Sequence, residues 1–246
     1  MSQSDWVGFS RKAVAPAIPA FVRWQQEAEK HHRAGDYAWM ADQLSPCRVL
    51  EVGCGTGYGT LALCRAGCSV KVLEPSGDCI AVAEARLRES EFGGDTVSFS
   101  RVGVGDVDAV LHGELQSFAP EVVVCWLMGA DDSALDSGLP PAQAVQKHRE
   151  FVHRQAAELA SKLPSVQMIH LVDRSAFPWK IKETARETLV AYHCATTLHH
   201  LPFEISIPDT LYRKLDERQW PVPAGGRQPV GLVPVLGSML ARHISG

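Results

Sequence analysis

A glycine-rich turn directly after an apolar run constrains this chain most, in the stretch VLEVGCGTGYGTLAL at residues 49–63. The apolar Val49, Leu50 and Val52 predict a buried strand, and a segment with helical spacing follows the glycines. Glycine suits such a turn because it adopts positive φ and, having no Cβ, lets a ligand approach the backbone. The helix behind the turn would begin with free N–H groups and the positive end of its dipole. The stretch therefore predicts a strand, a tight turn and a helix that can face an anionic group.

The spacing of the glycines separates two classes of ligand. The dinucleotide fingerprint G-x-G-x-x-G requires a third glycine where this chain has Tyr58 or Thr60, depending on the register, so the fingerprint fails. What the chain has is an acid, one residue and then G-x-G-x-G, from Glu51 to Gly57. This pattern resembles the first motif of the class I S-adenosylmethionine-dependent methyltransferases. A glycine turn that binds no ligand is the alternative.

A second acidic residue supports the resemblance. Residues 69–73 predict a strand that stops at Glu74 and Pro75, about twenty residues beyond the turn. A carboxylate placed there can accept hydrogen bonds from a ribose diol. Glu74 resembles the acid that binds the cofactor ribose in this family, the alternative being an ordinary strand-end charge in solvent. The resemblance covers roughly residues 49–172.

The resemblance implies a fold and a cofactor. The fold is a doubly wound α/β domain with a mostly parallel sheet of seven strands, the last one antiparallel, and the cofactor is S-adenosylmethionine. Glu51 would orient the loop and the amino-acid end of the cofactor, Glu74 the ribose and Asp106 the adenine. Gly103 and Asp108 leave the register at Asp106 open, so a turn aspartate is the alternative there. The residues implied to bind the cofactor are Glu51, Gly53, Cys54, Gly55, Thr56, Gly57, Glu74, Pro75, Asp106, Val107 and Trp126.

The first part of the chain is predicted to be an N-terminal helical segment or lid, residues 1–44, on a methyltransferase domain of residues 45–246. A chain of 246 residues suits one globular domain overall. Residues 20–43 predict a helix interrupted near Gly35. Similar segments in the family fold over the cofactor and substrate pocket, and packing alone is the other interpretation. His31 and His32 lie in a charged stretch and are expected on a solvated face.

The remaining elements follow from apolar periodicity. Helices are predicted at residues 80–91, 140–163 and 179–200, and strands at 96–102, 120–127, 166–172 and 203–207. The 166–172 strand is expected to end at Asp173 and Arg174. Residues 221–234 are predicted to form a loop over a pocket, and 230–244 a last strand or helix.

The substrate side is expected at the end of the fourth strand, because open α/β sheets bind ligands at the carboxyl ends of their strands. The residues predicted to contact substrate are Trp126, Met128, Tyr37 and Trp39, with core filling as the alternative for Trp126. Candidate general bases are His193, His199, His200 and Tyr37, and no single one is assigned. Asp131, Asp132 and Asp136 form an acidic loop that is expected to be solvated, so no metal is predicted.

Charge and hydropathy limit the classes of partner that the chain is expected to bind. The net charge of −4 provides no basic field for nucleic acid or an anionic membrane. The chain has neither a signal-peptide core nor an apolar run near the roughly 20 residues of a membrane span, so a cytoplasmic location is expected. Seven cysteines without a C-x-x-C pair predict reduced, buried thiols, with Cys64 and Cys68 on one helix face.

These observations together favour an enzyme. The resemblance implies a methyltransferase. The neutral-to-acidic charge, the missing nucleic-acid module and the aromatic residues around a plausible pocket favour a small-molecule substrate, methylated at nitrogen, oxygen or sulfur in specialised metabolism. The chain lacks the N-P-P-Y type pattern of enzymes that methylate base or glutamine amide nitrogens. The alternatives are a protein methyltransferase and a regulatory protein that binds S-adenosylmethionine without catalysis.

Overall fold

The computed structural model describes residues 20–129, 138–216, 220 and 231–244. The strands are β1 (Arg48–Val52), β2 (Ser69–Leu73), β3 (Val97–Ser100), β4 (Val122–Trp126), β5 (Met168–Pro178), β6 (Phe203–Lys214) and β7 (Leu232–His243). The helices are α1 (Ala20–Arg33), α2 (Asp36–Ala41), α3 (Tyr58–Arg65), α4 (Gly77–Glu89), α5 (Ala109–Phe118), α6 (Pro141–Ser161) and α7 (Lys182–Thr196). Short 3₁₀ turns occupy Gly94–Thr96, Val104–Asp106 and Trp179–Ile181.

All seven strands form one sheet with the order β3-β2-β1-β4-β5-β7-β6. The pairs from β3 to β5 are parallel, whereas β7 is antiparallel to both β5 and β6. This confirms the predicted doubly wound, mostly parallel sheet with an antiparallel last strand. The strand order reverses between β1 and β4, and in such sheets the crevice at the carboxyl ends of these strands is where ligands bind.

The sheet is covered on both faces, which is why its central strands are continuously apolar. All five residues of β4 are buried, and successive side chains alternate between two apolar layers. Val124 joins the layer that packs against α2, α3 and α4, and Val123 joins the layer against α5 and α6. The two layers hold the central strands in place, and the candidate site lies at the carboxyl ends of these strands.

The predicted interruption of the N-terminal helix is confirmed at Gly35, which has φ of +73° between α1 and α2. The prediction for the adjacent His31 was wrong, because this side chain is 2% exposed. Its Nδ1 lies 2.8 Å from Oδ2 of the buried Asp36, and its ring stacks on Trp220. His31 is buried although its stretch of α1 is charged, because α2 folds back against this face of α1.

Two strands extend well beyond their predicted ends. β5 continues past Asp173 to Pro178, because residues 173–178 pair antiparallel with residues 232–237 of β7. β6 continues to Lys214 by pairing with the same strand. The last segment is a strand, which settles the strand-or-helix alternative. Of the predicted loop at residues 221–234, residues 221–230 lie outside the described part of the chain.

All seven cysteines are free thiols, and five of them are buried. Cys64 and Cys68 do not share a helix face as predicted, because α3 ends at Arg65 and Gly67 turns the chain with φ of +85°. No helix among the described residues combines the length and the apolar character that a membrane crossing requires. The division into an N-terminal segment and a domain of residues 45–246 stays a prediction.

Candidate cofactor and substrate site

The glycine turn between β1 and α3 has the positive backbone angles that its sequence predicts. Gly53, Gly55 and Gly57 have φ of +75°, +50° and +82°. A Cβ on Gly57 would lie 2.6 Å from the Cβ of Ala83 in α4, and one on Gly53 would lie 2.6 Å from Cε of Met128. A Cβ on Gly55 would meet no heavy atom within 4 Å. Two glycines therefore permit close packing, and Gly55 presents bare backbone to open space.

Glu74 holds the turn against the end of β2. Its Oε2 accepts a hydrogen bond from the backbone N–H of Gly55 at 3.1 Å, and its Oε1 accepts one from Ser76 at 2.9 Å. The side chain is buried, which raises its pKa, and the two N–H donors oppose that rise. Each carboxylate oxygen keeps further lone-pair capacity. Glu74 can therefore position the turn and still accept hydrogen bonds from a ligand.

Glu51 is a second buried acid at the same turn. Its Oε2 accepts a hydrogen bond from the Thr60 hydroxyl at 2.6 Å. Burial raises the pKa of Glu51 to about 7, with the Thr60 bond opposing the rise and the charge of Glu74 adding to it. Two buried carboxylates in one crevice favour a cationic group of a ligand over an anionic one.

Four other predicted cofactor contacts surround the turn. Cys54 is buried, and burial raises the pKa of its thiol, so it stays protonated and unreactive. Thr56 is also buried, and its hydroxyl has no hydrogen-bond partner among the described residues. Pro75 is exposed, and it separates Glu74 from Ser76, whose side chain caps α4. Val107 is half-buried and packs against the apolar layer of α5 and α6.

The register question after β3 has a structural answer. The carboxylate of Asp108 is the N-cap of α5 and accepts a hydrogen bond from the N–H of Leu111 at 2.8 Å. Asp106 is exposed at the end of the preceding 3₁₀ turn. Helix capping therefore accounts for Asp108, and Asp106 remains the acid available to a ligand at this edge.

Trp126 is held in the interior at the end of β4. It is 6% exposed, and its Nε1 donates a hydrogen bond to Nδ1 of His170 at 3.2 Å. His170 Nε2 lies 2.8 Å from Oγ of Ser238, which donates to Oε1 of Gln43 at 2.7 Å. The chain of bonds requires a neutral His170 with its proton on Nε2, and burial lowers the pKa of His170 to about 3. This arrangement favours core filling over substrate stacking for Trp126.

The other predicted substrate contacts divide between two places. Met128 packs against Gly53, and the half-buried Tyr37 lies next to Gly59, so both are at the turn. Trp39 is two residues along α2 and therefore points away, with the Arg213 guanidinium 5.7 Å from its ring centroid. Burial raises the pKa of Tyr37, which disfavours it as a general base at neutral pH.

The three histidine candidates lie elsewhere. His199 and His200 are exposed after the end of α7, and their rings are in contact, with centroids 3.7 Å apart and planes tilted by 45°. His193 is buried in the last turn of α7, and burial lowers its pKa to about 4. Asp131, Asp132 and Asp136 lie outside the described residues.

His193 faces a cavity that the sequence did not reveal. The cavity has a volume of about 560 Å³ and lies between α6, α7 and the strands β5 and β7. No residue predicted to bind the cofactor lines it. Its polar lining residues are Gln146, Arg149, Glu150, His153, Asp173, Arg174, Ser175, Tyr192, His193 and Thr197. Polar residues on the inward stripe of α6 were the available signal, since such a stripe in a core helix is otherwise apolar.

The strand order, the antiparallel seventh strand and the glycine turn with its two acids define a class of protein. They constitute the Rossmann-like fold of the class I methyltransferases. The family model described as a methyltransferase domain matches residues 49–139 of the chain.

Two known proteins are similar to parts of the chain. Magnesium-protoporphyrin O-methyltransferase from Rhodobacter capsulatus is 37% identical over 62 residues, which cover 25% of this chain and 28% of that protein. The chain thus matches only about a quarter of the length of this curated relative. The solved structure of TYW2 from M. jannaschii in complex with AdoMet has a TM-score of 0.50 and 14% identity, over 87% of this chain and 77% of that one. The structural likeness concerns the fold.

Proposed function

We propose that the protein is an S-adenosylmethionine-dependent methyltransferase that acts on a small molecule. The observation that carries this proposal is the bare backbone of Gly55, which faces open space beside the buried Glu51 and Glu74. This cradle lies at the carboxyl ends of β1 and β2, next to the point where the strand order reverses.

The residues at the turn fit the proposed cofactor. Glu74 would accept hydrogen bonds from the ribose, and Asp106 would receive the adenine amino group. Glu51 would face the cationic amino-acid end, because a nearby positive charge stabilises an ionised carboxylate that burial otherwise disfavours. When bound, the cofactor supplies a methyl group on a sulfonium, which is a good leaving group. The chain itself would then align the nucleophile and exclude water.

Two observations support a small-molecule substrate. The net charge of −4 offers no general field for nucleic acid. The Rhodobacter capsulatus relative is named for methylation of a magnesium porphyrin, although its similarity is confined to 62 residues. A general base is needed only where the nucleophile loses a proton during transfer. Of the four candidates, His193 lines the cavity of about 560 Å³ between α6 and α7.

Calorimetric titration with S-adenosylmethionine and S-adenosylhomocysteine tests the cofactor. We expect micromolar binding by the wild type, a loss of at least tenfold in Glu74→Ala, and unchanged binding in Glu204→Ala, which removes an exposed acid on β6. Binding of NAD instead, or equal affinity in all three proteins, would reject the site.

Turnover is tested with the labelled methyl donor and fractionated metabolite extracts. Label in a small molecule supports the proposal. Label only in polypeptide would indicate a protein methyltransferase. Cofactor binding without transfer to any fraction would indicate a regulatory protein that only binds the cofactor.

A further inference from the structure

Three potential metal ligands converge beside the cavity between α6 and α7. His153 of α6, Asp173 of β5 and His193 of α7 each offer one ligand atom, and these atoms lie within 4.8 Å of one another. The three side chains come from three different elements and are 1%, 9% and 2% exposed. We propose that they form a binding site for one divalent transition-metal ion.

The hydrogen bonding within the cluster is incomplete, which is a second and independent sign of a missing ligand. Nε2 of the buried His153 has no hydrogen-bond partner among the described residues. Its Nδ1 lies 3.7 Å from Oδ2 of Asp173, which is beyond hydrogen-bond distance. Buried polar atoms in native proteins are nearly always paired, so an unpaired imidazole nitrogen that borders a cavity needs an explanation. A bound cation supplies one.

One of the two histidines is oriented by a hydrogen bond on its other ring nitrogen. Nδ1 of His193 lies 2.9 Å from Oγ1 of Thr197. If Nδ1 donates to that hydroxyl, Nε2 becomes the acceptor nitrogen. Such a bond on the distal nitrogen is the usual way in which a protein orients a metal-binding imidazole.

The set of two imidazoles and one carboxylate indicates the kind of ion. Nitrogen-rich sites favour Zn²⁺, Fe²⁺ or Co²⁺ over Mg²⁺ and Ca²⁺, which prefer oxygen ligands. Three protein ligands leave coordination positions that an exogenous group can fill. Those positions would face the cavity of about 560 Å³.

Arg149 restricts what the open positions accept. Its Nε lies 3.0 Å from Oδ1 of Asp173, so Oδ1 pairs with the arginine and Oδ2 is left to bind the ion. A divalent ion and a guanidinium around a single carboxylate carry net positive charge. The remaining ligand from the cavity is therefore expected to be an anionic oxygen, such as a carboxylate or an ionised hydroxyl.

The site is separate from the glycine turn but close to the end of β4. Val172 pairs with Trp126, so Asp173 lies one residue beyond the level at which β4 ends. The proposal concerns metal binding by these three side chains and stands whether or not the protein transfers a methyl group.

Direct metal binding tests the proposal without any activity measurement. We expect the full chain, freed of metal by a chelator, to bind one equivalent of Zn²⁺ in calorimetry with micromolar or tighter affinity. Mg²⁺ at the same concentrations should show no measurable binding. Asp173→Asn and His193→Gln should each lose at least tenfold in affinity. His199→Gln, which changes an exposed histidine close to the end of α7, is the matched control and should bind as the wild type does.

X-ray absorption of the zinc-loaded wild type provides a test that does not depend on the folding of any variant. Seven free thiols make sulfur ligation the main competing explanation. The expected spectrum shows nitrogen and oxygen ligands near 2.0–2.1 Å with imidazole scattering, and sulfur at about 2.3 Å would overturn the assignment. Absence of stoichiometric binding, or unchanged affinity in both ligand variants, would overturn it as well.

Discussion

Glu51 is a buried acid whose protonation differs from that of a glutamate in water. Its carboxyl is 4% exposed and has a pKa of about 7, so it is close to half protonated at neutral pH. The ordinary pKa of a glutamate carboxyl is 4.5. Below about pH 4.5 the group is protonated in both the folded and the unfolded chain. As pH rises from there towards 7, the carboxyl ionises in the unfolded chain but stays protonated in the folded chain, so the free energy of unfolding falls.

Glu51→Gln removes this titration while keeping an oxygen that can accept the Thr60 hydrogen bond. We expect the free energy of unfolding of the variant, relative to wild type, to rise between about pH 4.5 and 7, by roughly 3 kcal/mol in total, and to be flat outside that window. Urea unfolding at a series of pH values measures the difference. Glu204→Gln should show no such window, and a flat difference for Glu51→Gln would mean that the carboxyl titrates normally.

Gly55 and Gly57 have similar backbone angles but different surroundings, which makes them a matched pair. Gly55→Ala meets no atom within 4 Å and should cost only the conformational strain of about 1–2 kcal/mol, yet weaken cofactor binding strongly because the methyl group fills the cradle. Gly57→Ala adds a collision with Ala83 and should destabilise more, by an additional 1–3 kcal/mol.

Urea unfolding and calorimetric titration together separate the two effects. Stability should rank wild type, then Gly55→Ala, then Gly57→Ala. If Gly55→Ala bound S-adenosylmethionine as tightly as the wild type, the open face of the turn would not be the ligand site.

At the scale of elements, arginines from the sheet fasten the N-terminal helices. Arg213 of β6 donates from Nε to Oδ1 of Asp36 at 2.8 Å and from Nη2 to the carbonyl of Ala34 at 2.8 Å. Arg174 of β5 lies 3.1 Å from Glu27 of α1. A Cβ on Gly129 would collide with the Trp24 indole, so α1 also packs against the chain just beyond β4.

Arg213→Met should therefore loosen α1 and α2 specifically. Asp36 is 1% exposed and would keep its contact with His31 but lose its arginine, and losing a hydrogen bond to a charged group costs roughly 1.5–3 kcal/mol. We expect the substitution to accelerate hydrogen exchange more in residues 20–41 than in β1 and β4. The free energy of unfolding should also be lower than that of the wild type. Arg33→Met breaks an exposed pair with Glu29 and should change neither quantity measurably. Uniformly faster exchange throughout the sheet would contradict a local anchoring role.

The sequence predicted elements well where the signal is local and less well where it is not. The strand at residues 69–73 and the break at Gly35 follow from periodicity and a glycine, and both are confirmed. The second half of β5 was missed because Asp173 and Arg174 resemble the polar end of a strand. Only the long-range pairing with β7 extends that strand, and no short window of sequence contains this information.

At the scale of the molecule, the same distinction separates the two sites. The cofactor turn is contiguous in sequence, with Glu74 contributed by the next strand, so a motif could place it. His153, Asp173 and His193 are distant in sequence, and α6, β5 and α7 bring them together only in the folded chain. Convergence of this kind depends on helix packing and strand register, which residue spacing alone does not specify.

Buried histidines should also set the acid stability of the whole molecule. Burial lowers the pKa of His170 to about 3 and that of His193 to about 4, from the ordinary histidine value of 6.5. An unfolded chain takes up these protons near pH 6.5, whereas the folded chain does not, so the stability they contribute is present above pH 6.5 and lost as pH falls. Glu51 acts in the opposite direction over part of this range, and therefore the histidine contribution has to be isolated by substitution.

His170→Gln isolates it, because a glutamine amide can accept from Trp126 and donate to Ser238 without titrating. Between about pH 7.5 and pH 5 the wild type should lose about 2 kcal/mol more stability than the variant. The reason is that His170 becomes protonated in the unfolded chain but stays neutral in the folded chain. Urea unfolding with a chelator present excludes any metal contribution from His193. His199→Gln, at an exposed position, should follow the wild type at both pH values. If His170→Gln followed it too, His170 would have to be protonated in the folded chain, and the bond chain from Trp126 to Gln43 would need a different arrangement of protons.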